Sequence, residues 1–151
     1  MSGSAPPSLD VLAIGEPMIE FNQTIPGDPH FLQGFGGDTS NMAIAAARSG
    51  ARAGYVSRVG DDAFGRLLRN LWQTEGVDSR GVAIDPAAHT AVYFVTHGES
   101  GHGFSYLRAG SAASRLQPQD VPTDLLRQAR IVQASGISLA ISAGACDAVL
   151  H

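Results

Sequence analysis

The sequence predicts an α/β fold: a mainly parallel sheet flanked by helices, with a second, smaller β-sheet beside it. Three observations carry that reading. Short apolar runs closed by glycine alternate with segments of helical periodicity, the succession expected of a parallel sheet with helices packed on it. The stretch Gly34-Phe35-Gly36-Gly37-Asp38-Thr39-Ser40-Asn41 runs straight into the alanine-rich Met42 to Ser49, so a glycine loop opens into a helix. Two β-rich runs, Thr90 to Thr96 and Phe104 to Arg108, are joined by the glycine-rich segment 97–103 and read as a hairpin.

Taken in order, Met1 to Ser8 is small, polar and proline-containing and reads as a disordered leader, leaving 9–151 as one unit. Val11 to Ile14 is an apolar run ended by Gly15, as expected of a buried strand. Met18 to Asn22 alternates in part and is expected to leave the main sheet for the smaller one, whose strands fall near 17–34 and 90–108. Glu16 and Glu20 read as solvated carboxylates on a strand edge near the expected pocket. Pro26-Gly27-Asp28-Pro29 is turn chemistry, and His30 to Gln33 returns as a short strand.

In the glycine loop, Asp38, Thr39 and Ser40 are all good N-caps, and Gly50 stands where a left-handed C-terminal cap belongs. A polar ligand there would meet bare backbone, short polar side chains and the positive end of a helix dipole. The alternative is a tight turn and no more. Phe35 reads as a plug in the core. The loop lacks the Gly-Lys-Ser/Thr ending of a phosphate loop, the chain has no lysine at all, and the glycine spacing does not fit a dinucleotide fingerprint.

Ala53 to Val59 is strand-like, and Asp61 or Asp62 caps a helix bearing Phe64, Leu67, Leu68, Leu71 and Trp72 on one face. Val77 to Ile84 returns toward the sheet. Arg58 reads as part of an ion pair. On the hairpin, Tyr106 and Arg108 lie two apart and share a face, with Tyr93 near them on the partner strand, an arrangement suited to a carboxylated, polyhydroxylated ligand but on spacing alone more often ordinary surface. Thr123 is expected to cap a short helix, Ile131 to Ala134 to form another buried strand ending at Ser135-Gly136-Ile137, and Ser142 to open a last helix.

With 151 residues, 44% hydrophobic and 16% charged, the chain can bury a sizeable core. A net charge of −4 gives no reason to expect nucleic acid or an anionic membrane as partner. No apolar run approaches a spanning helix, and a cytoplasmic setting is the default. One cysteine, Cys146, rules out an internal disulfide, and the five scattered histidines suggest no metal site.

The glycine loop and its alanine helix resemble the first signature of the ribokinase-like (PfkB-type) carbohydrate kinases. The resemblance continues through Val56-Ser57-Arg58-Val59-Gly60-Asp61-Asp62-Ala63-Phe64-Gly65, Glu75-Gly76-Val77-Asp78 and Ser135-Gly136-Ile137, in the family's order. It implies a ribokinase-like fold whose small sheet is a lid over the sugar. Tyr106-Leu107-Arg108-Ala109-Gly110-Ser111-Ala112-Ala113-Ser114 and Tyr93 are similar to the sugar-acid segment of 2-keto-3-deoxygluconate kinases, with Leu107 departing where many relatives carry tyrosine.

That resemblance implies substrate contacts from Gly36, Gly37, Asp38, Asn41, Tyr93, Tyr106 and Arg108, Arg108 pairing with a substrate carboxylate; Thr39 lies in the same loop. It implies ATP and Mg2+ as cofactors, bound mainly by a downstream half. The family's Asp-x-x-Gly-Ala-Gly-Asp motif, whose last Asp is the catalytic base, does not occur in this sequence, so the chain is expected to be the N-terminal half of a kinase and to lack that base. The expected partners are a small sugar or sugar acid and a second copy of the chain through the lid strands. A fructokinase or ribokinase, or a non-catalytic sugar-binding or dimerisation fragment, are the alternatives. A sheet cut in half would also expose an apolar edge.

Overall fold

The computed structural model describes residues 8–151. The leader expected over 1–8 therefore lies outside the described residues except for Ser8, whose hydroxyl bonds Gln128 at 2.6 Å. Two four-stranded sheets account for the architecture. The first contains β1 (Leu9–Ile14), β4 (Ala53–Gly60), β5 (Asp78–Asp85) and β8 (Ala129–Gln133) in the order β5-β4-β1-β8. Every pairing in it is parallel.

The second sheet, the lid, holds β2 (Met18–Gln23), β3 (Phe31–Gly36), β6 (Val92–Gly98) and β7 (Gly101–Leu107) in the order β3-β2-β6-β7. Two antiparallel hairpins, β2–β3 and β6–β7, meet along a parallel β2–β6 seam. Helices α1 (Asp38–Arg48) and α2 (Ala63–Thr74) follow β3 and β4, and the short α3 (Thr123–Gln128), α4 (Gly136–Ala140) and α5 (Ala143–Leu150) surround β8 in sequence.

Period-two alternation divides the core between the two faces of the parallel sheet. Ala13, Tyr55 and Val59 pack with Ile44, Leu68 and Trp72 of α1 and α2, together with Ile19 and Val92 of the lid. Leu12, Ile14 and Val56 face the other way, onto Leu116, Leu125 of α3 and Ala145 and Ala148 of α5. Burial on both faces is why β1 and β4 read as near-continuous apolar runs. Among the described residues no helix is long and apolar enough to cross a membrane.

Several expectations are corrected. Gly34, Phe35 and Gly36 are strand, because their backbones pair with Glu20, Ile19 and Met18 across the hairpin. The N-cap of α1 is Gly37, without a side-chain cap, and α3 begins after Pro122, with Thr123 as its first residue. The β6–β7 connection is shorter than predicted: Gly98 already pairs with Gly101, so only Glu99 and Ser100 form the turn. Strand β8 is not buried; as a sheet edge it leaves Ile131 63% and Val132 49% exposed, which is the apolar edge anticipated from the sequence. Asp62 does cap α2, accepting from the Gly65 N–H at 2.7 Å.

Candidate functional site

The site forms where β1 hands the chain to the lid. Leaving β1, Gly15-Glu16-Pro17 crosses to β2, while the end of β3 brings Gly36 and Gly37 against the same crossing. Gly37 has φ +98, and a Cβ there would lie 2.4 Å from the Glu16 carbonyl oxygen, so both geometry and space require glycine. A Cβ on Gly36 would lie 2.4 Å from the Tyr93 ring. That ring therefore rests on bare backbone.

The β6–β7 register sets Tyr93 directly opposite Tyr106, and the rings stack at 5.7 Å with 25° between their planes. Phe104 continues the row at 6.3 Å from Tyr106, and the Arg108 guanidinium carbon lies 5.8 Å from the Tyr106 ring. The Tyr93 hydroxyl donates to Glu20. Partial burial, with that carboxylate beside it, pushes the Tyr93 phenol well above its ordinary range, so it stays a donor at neutral pH.

Glu16 overturns its expectation as a solvated carboxylate. It is only 3% exposed, pairs with an Arg108 Nη2 and accepts from the Ser111 hydroxyl at 3.1 Å. Burial raises its pKa, against the opposing pull of Arg108 and Ser111. Ser111 in turn accepts from the Ser114 N–H, and its carbonyl accepts from the Ser114 hydroxyl, binding the segment after β7 to the start of a 3-10 turn at Ala113–Arg115. Arg108, read from the sequence as a residue free for a ligand, thus already has one internal carboxylate partner.

Gly36, Tyr93, Tyr106 and Arg108 are brought into one cluster, with Gly37 at its edge. Asp38 is exposed and accepts from the Thr39 N–H at 2.8 Å. Asn41 is exposed and lines a hollow of about 300 Å³ on the outer side with Phe35, Ile44 and Arg48. No hydrogen bond among the described residues ties the Asn41 side chain to the tyrosines. Phe35 is 37% exposed in that hollow and is not the expected core plug. Thr39 and Ser40 turn inward: Thr39 meets the Tyr55 hydroxyl at 3.0 Å, and Ser40 accepts from the Trp72 indole at 2.9 Å. They satisfy the two largest fully buried side chains rather than a ligand.

Clefts flank Arg108 on two sides. One, of about 640 Å³, is lined by Phe64, Thr90, Val92, Tyr106 and Leu107, and the other, of about 630 Å³, by Gly110, Ser114, Ile137 and Ser142. Arg58 behaves as expected, giving Nη1 to both Asp120 oxygens and Nη2 to Asp85, all at 2.9 Å. This pairing fixes the ends of β4 and β5 to the stretch that follows the lid. Sequence reasoning placed Glu16 and Glu20 near the pocket but read both as solvated, and gave Ser111 no role of its own; the signal available for Glu16 was a carboxylate directly after a buried strand, where solvation is hard to keep.

A parallel sheet with helices on both faces, and beside it a smaller β-sheet carrying an aromatic row that ends at a paired arginine, make up the fold and the candidate site. Its family is shown by comparison: residues 8–151 match the model described as pfkB family carbohydrate kinase, and the chain belongs to that family. It is 40% identical over 148 residues to 2-dehydro-3-deoxygluconokinase of Thermoproteus tenax, a match covering 93% of this chain and 46% of the relative. It is 36% identical over 147 residues to a fructokinase of Solanum tuberosum, with the same coverage of 93% and 46%. The crystal structure of a PfkB protein from Polaromonas sp. JS666 superposes with TM-score 0.90 at 33% identity, covering 95% of this chain and 50% of that one. A putative ribokinase II from E. coli, solved with ATP and Mg2+, gives 0.85 at 27% identity over 94% of this chain and 47% of its own. The chain spans about half the length of the relatives it matches.

Proposed function

We propose that the whole protein is an ATP-dependent sugar-acid kinase that transfers the γ-phosphoryl group to the primary hydroxyl of 2-keto-3-deoxygluconate, and that this chain carries much of the sugar site. The observation supporting it is the row formed by Tyr93, Tyr106 and Arg108 over the bare backbone of Gly36. Glu16 pairs with Nη2 of Arg108, and Nε and Nη1 of the guanidinium are left for a substrate carboxylate. Tyr93 and Tyr106 hydrogen-bond the ligand, and Gly36, Gly37, Asp38 and Asn41 fix its hydroxyls.

These residues bind and orient the acceptor; they do not take its proton. The base, and the groups that hold ATP and Mg2+, belong to a downstream segment in this reading. Among the described residues no cluster of three or more His, Cys, Asp or Glu fits a metal ion, and the sequence holds no Gly-Ala-Gly-Asp run. No catalytic step is therefore assigned to this chain.

A fructokinase is the second reading, favoured by one observation: Arg108 already has an internal partner in Glu16, which reduces its pull on an acid. ADP release by the whole protein with 2-keto-3-deoxygluconate, fructose and ribose separates the readings. Arg108→Ala is expected to raise KM for the acid at least tenfold more than for a neutral sugar; equal effects overturn the carboxylate assignment. Sugar binding with no ADP release from any substrate would favour a non-catalytic role.

The proposal includes a homo-oligomer through the lids, because β7 is an edge strand with all 7 residues exposed. Sedimentation showing only monomer refutes it. The proposal also takes the cytoplasm, where ATP is supplied, as the setting of the whole protein.

A further inference from the structure

The two-residue turn at Glu99–Ser100 sets His97 directly opposite His102 near the tip of the β6–β7 hairpin. Their Nδ1 atoms are 2.7 Å apart, with the rings nearly perpendicular at 83°. The other nitrogen of His97, Nε2, lies 2.8 Å from Asn22 Oδ1. The Asn22 amide is itself oriented, since its Nδ2 donates to Glu20 Oε1 at 3.4 Å. An oriented carbonyl at Nε2 makes that nitrogen the N–H donor and leaves Nδ1 of His97 as the lone-pair nitrogen. Imidazole ligands to metals are held in this way, by a carbonyl or carboxylate on the second ring nitrogen.

We propose that His97 and His102 chelate a borderline divalent cation through their two Nδ1 atoms, with water completing the coordination. A metal-to-nitrogen distance of about 2.0–2.1 Å places two donors about 2.9 Å apart at a right angle and about 3.3 Å apart in a tetrahedron. The right-angle arrangement needs the smaller opening from the present geometry, so tetragonal Cu(II) is preferred over tetrahedral Zn(II), in line with the general affinity order. His102 is exposed and lies on an edge strand, free to turn by that amount. The metal clamps the hairpin that carries Tyr93, Tyr106 and Arg108. It is also joined to the sugar cluster by hydrogen bonds running from His97 through Asn22 and Glu20 to Tyr93.

The test is calorimetric titration of the 151-residue chain with CuCl2 and with ZnCl2, together with electron paramagnetic resonance of the copper form. One equivalent of Cu(II) per chain is expected, with two equatorial imidazole nitrogens and tighter binding than Zn(II). Binding persists when His30, His89 and His151 are all replaced by Ala, falls at least tenfold in His102→Ala, and falls about tenfold in Asn22→Ala. Equal affinity in His102→Ala and the parent chain overturns the proposal, as does a one-nitrogen spectrum, which would mean that the pair is only hydrogen-bonded. Half an equivalent per chain overturns it too, since the metal would then be shared between two copies. His102→Ala alters an exposed side chain, and unchanged circular dichroism establishes that it folds.

Discussion

The Glu16–Arg108 pair is lopsided, and the lopsidedness predicts which partner can be removed. Glu16 is 3% exposed, whereas the Arg108 side chain retains 29% exposure and can reach water. Arg108→Met keeps the stem but leaves a buried carboxylate unpaired, which is ordinarily worth about 3–5 kcal/mol. Protonation limits that cost. A carboxyl with an ordinary value of 4.5 can take a proton at pH 7 for about 1.36 × 2.5, or roughly 3.4 kcal/mol, and at pH 5 for about 0.7 kcal/mol. The charge-related loss in Arg108→Met is thus at most about 3.4 kcal/mol at pH 7 and shrinks about fivefold at pH 5.

Glu16→Gln behaves oppositely. The folded-state pKa of Glu16 is raised, so the protonated carboxyl is the form the fold favours, and stability is lost as pH rises through that value. A neutral amide avoids that loss. Glu16→Gln should therefore match the parent at pH 5 and be equal to it or slightly more stable at pH 7. Urea unfolding followed by Trp72 fluorescence at the two pH values measures both variants; with a slope of about 2 kcal/mol per M, Arg108→Met lowers the midpoint by up to about 1.7 M at pH 7. A pH-independent loss in Arg108→Met, or an equal loss in Glu16→Gln, would refute the reasoning.

Three further outcomes are expected. Gly37→Ala should cost about 2 kcal/mol or more, since positive φ combines with a backbone clash, whereas Gly50→Ala, at φ +89 with nothing within 4 Å, should cost about 1; thermal melts compare them. Arg58→Met leaves the buried Asp85 with Arg115, at 3.3 Å, as its remaining cationic partner and should destabilise by about 1–3 kcal/mol near pH 7, less than a fully unpaired buried charge would. Because the Asp85 pKa is lowered, chiefly by the Ala87 N–H, that loss should disappear as pH falls through the folded value, a trend readable in acid-unfolding curves. Ser40→Ala orphans the Trp72 indole N–H and should cost about 1–3 kcal/mol in urea unfolding, with a shift in tryptophan emission as the accompanying sign.

The parallel strands were legible because burial on both faces leaves an unbroken apolar run, as at Val11 to Ile14, and because Asp62 announces the helix it caps. The facing of Tyr93 and Tyr106 was legible from period two. What was hidden depended on distant partners. Thr39 and Ser40 look like caps in sequence, and only the packing of Tyr55 and Trp72 explains why they turn inward. Glu16 meets an arginine 92 residues away, a separation at which no local pattern speaks. His97 and His102 were assigned to a loop because the glycines at 98, 101 and 103 suggested one; a two-residue turn would have paired them at once.

The β2–β6 seam has a consequence for how the lid is made. Each of its hairpins is local, but the parallel pairing that joins them unites Ile19 with Val92, across α1, β4, α2 and β5. A two-stranded hairpin alone is barely stable in water, and closing so long a loop is slow. The lid is therefore expected to fold late and open first, and amide exchange along the seam should outpace that in β1 and β4; slower or equal exchange there refutes this order. Gly36 and Gly37 ride on one hairpin, Tyr93, Tyr106 and Arg108 on the other. The candidate site exists only while the two halves of the lid are zipped together, so a ligand that bridges them acts as a late stitch in the assembly of the fold.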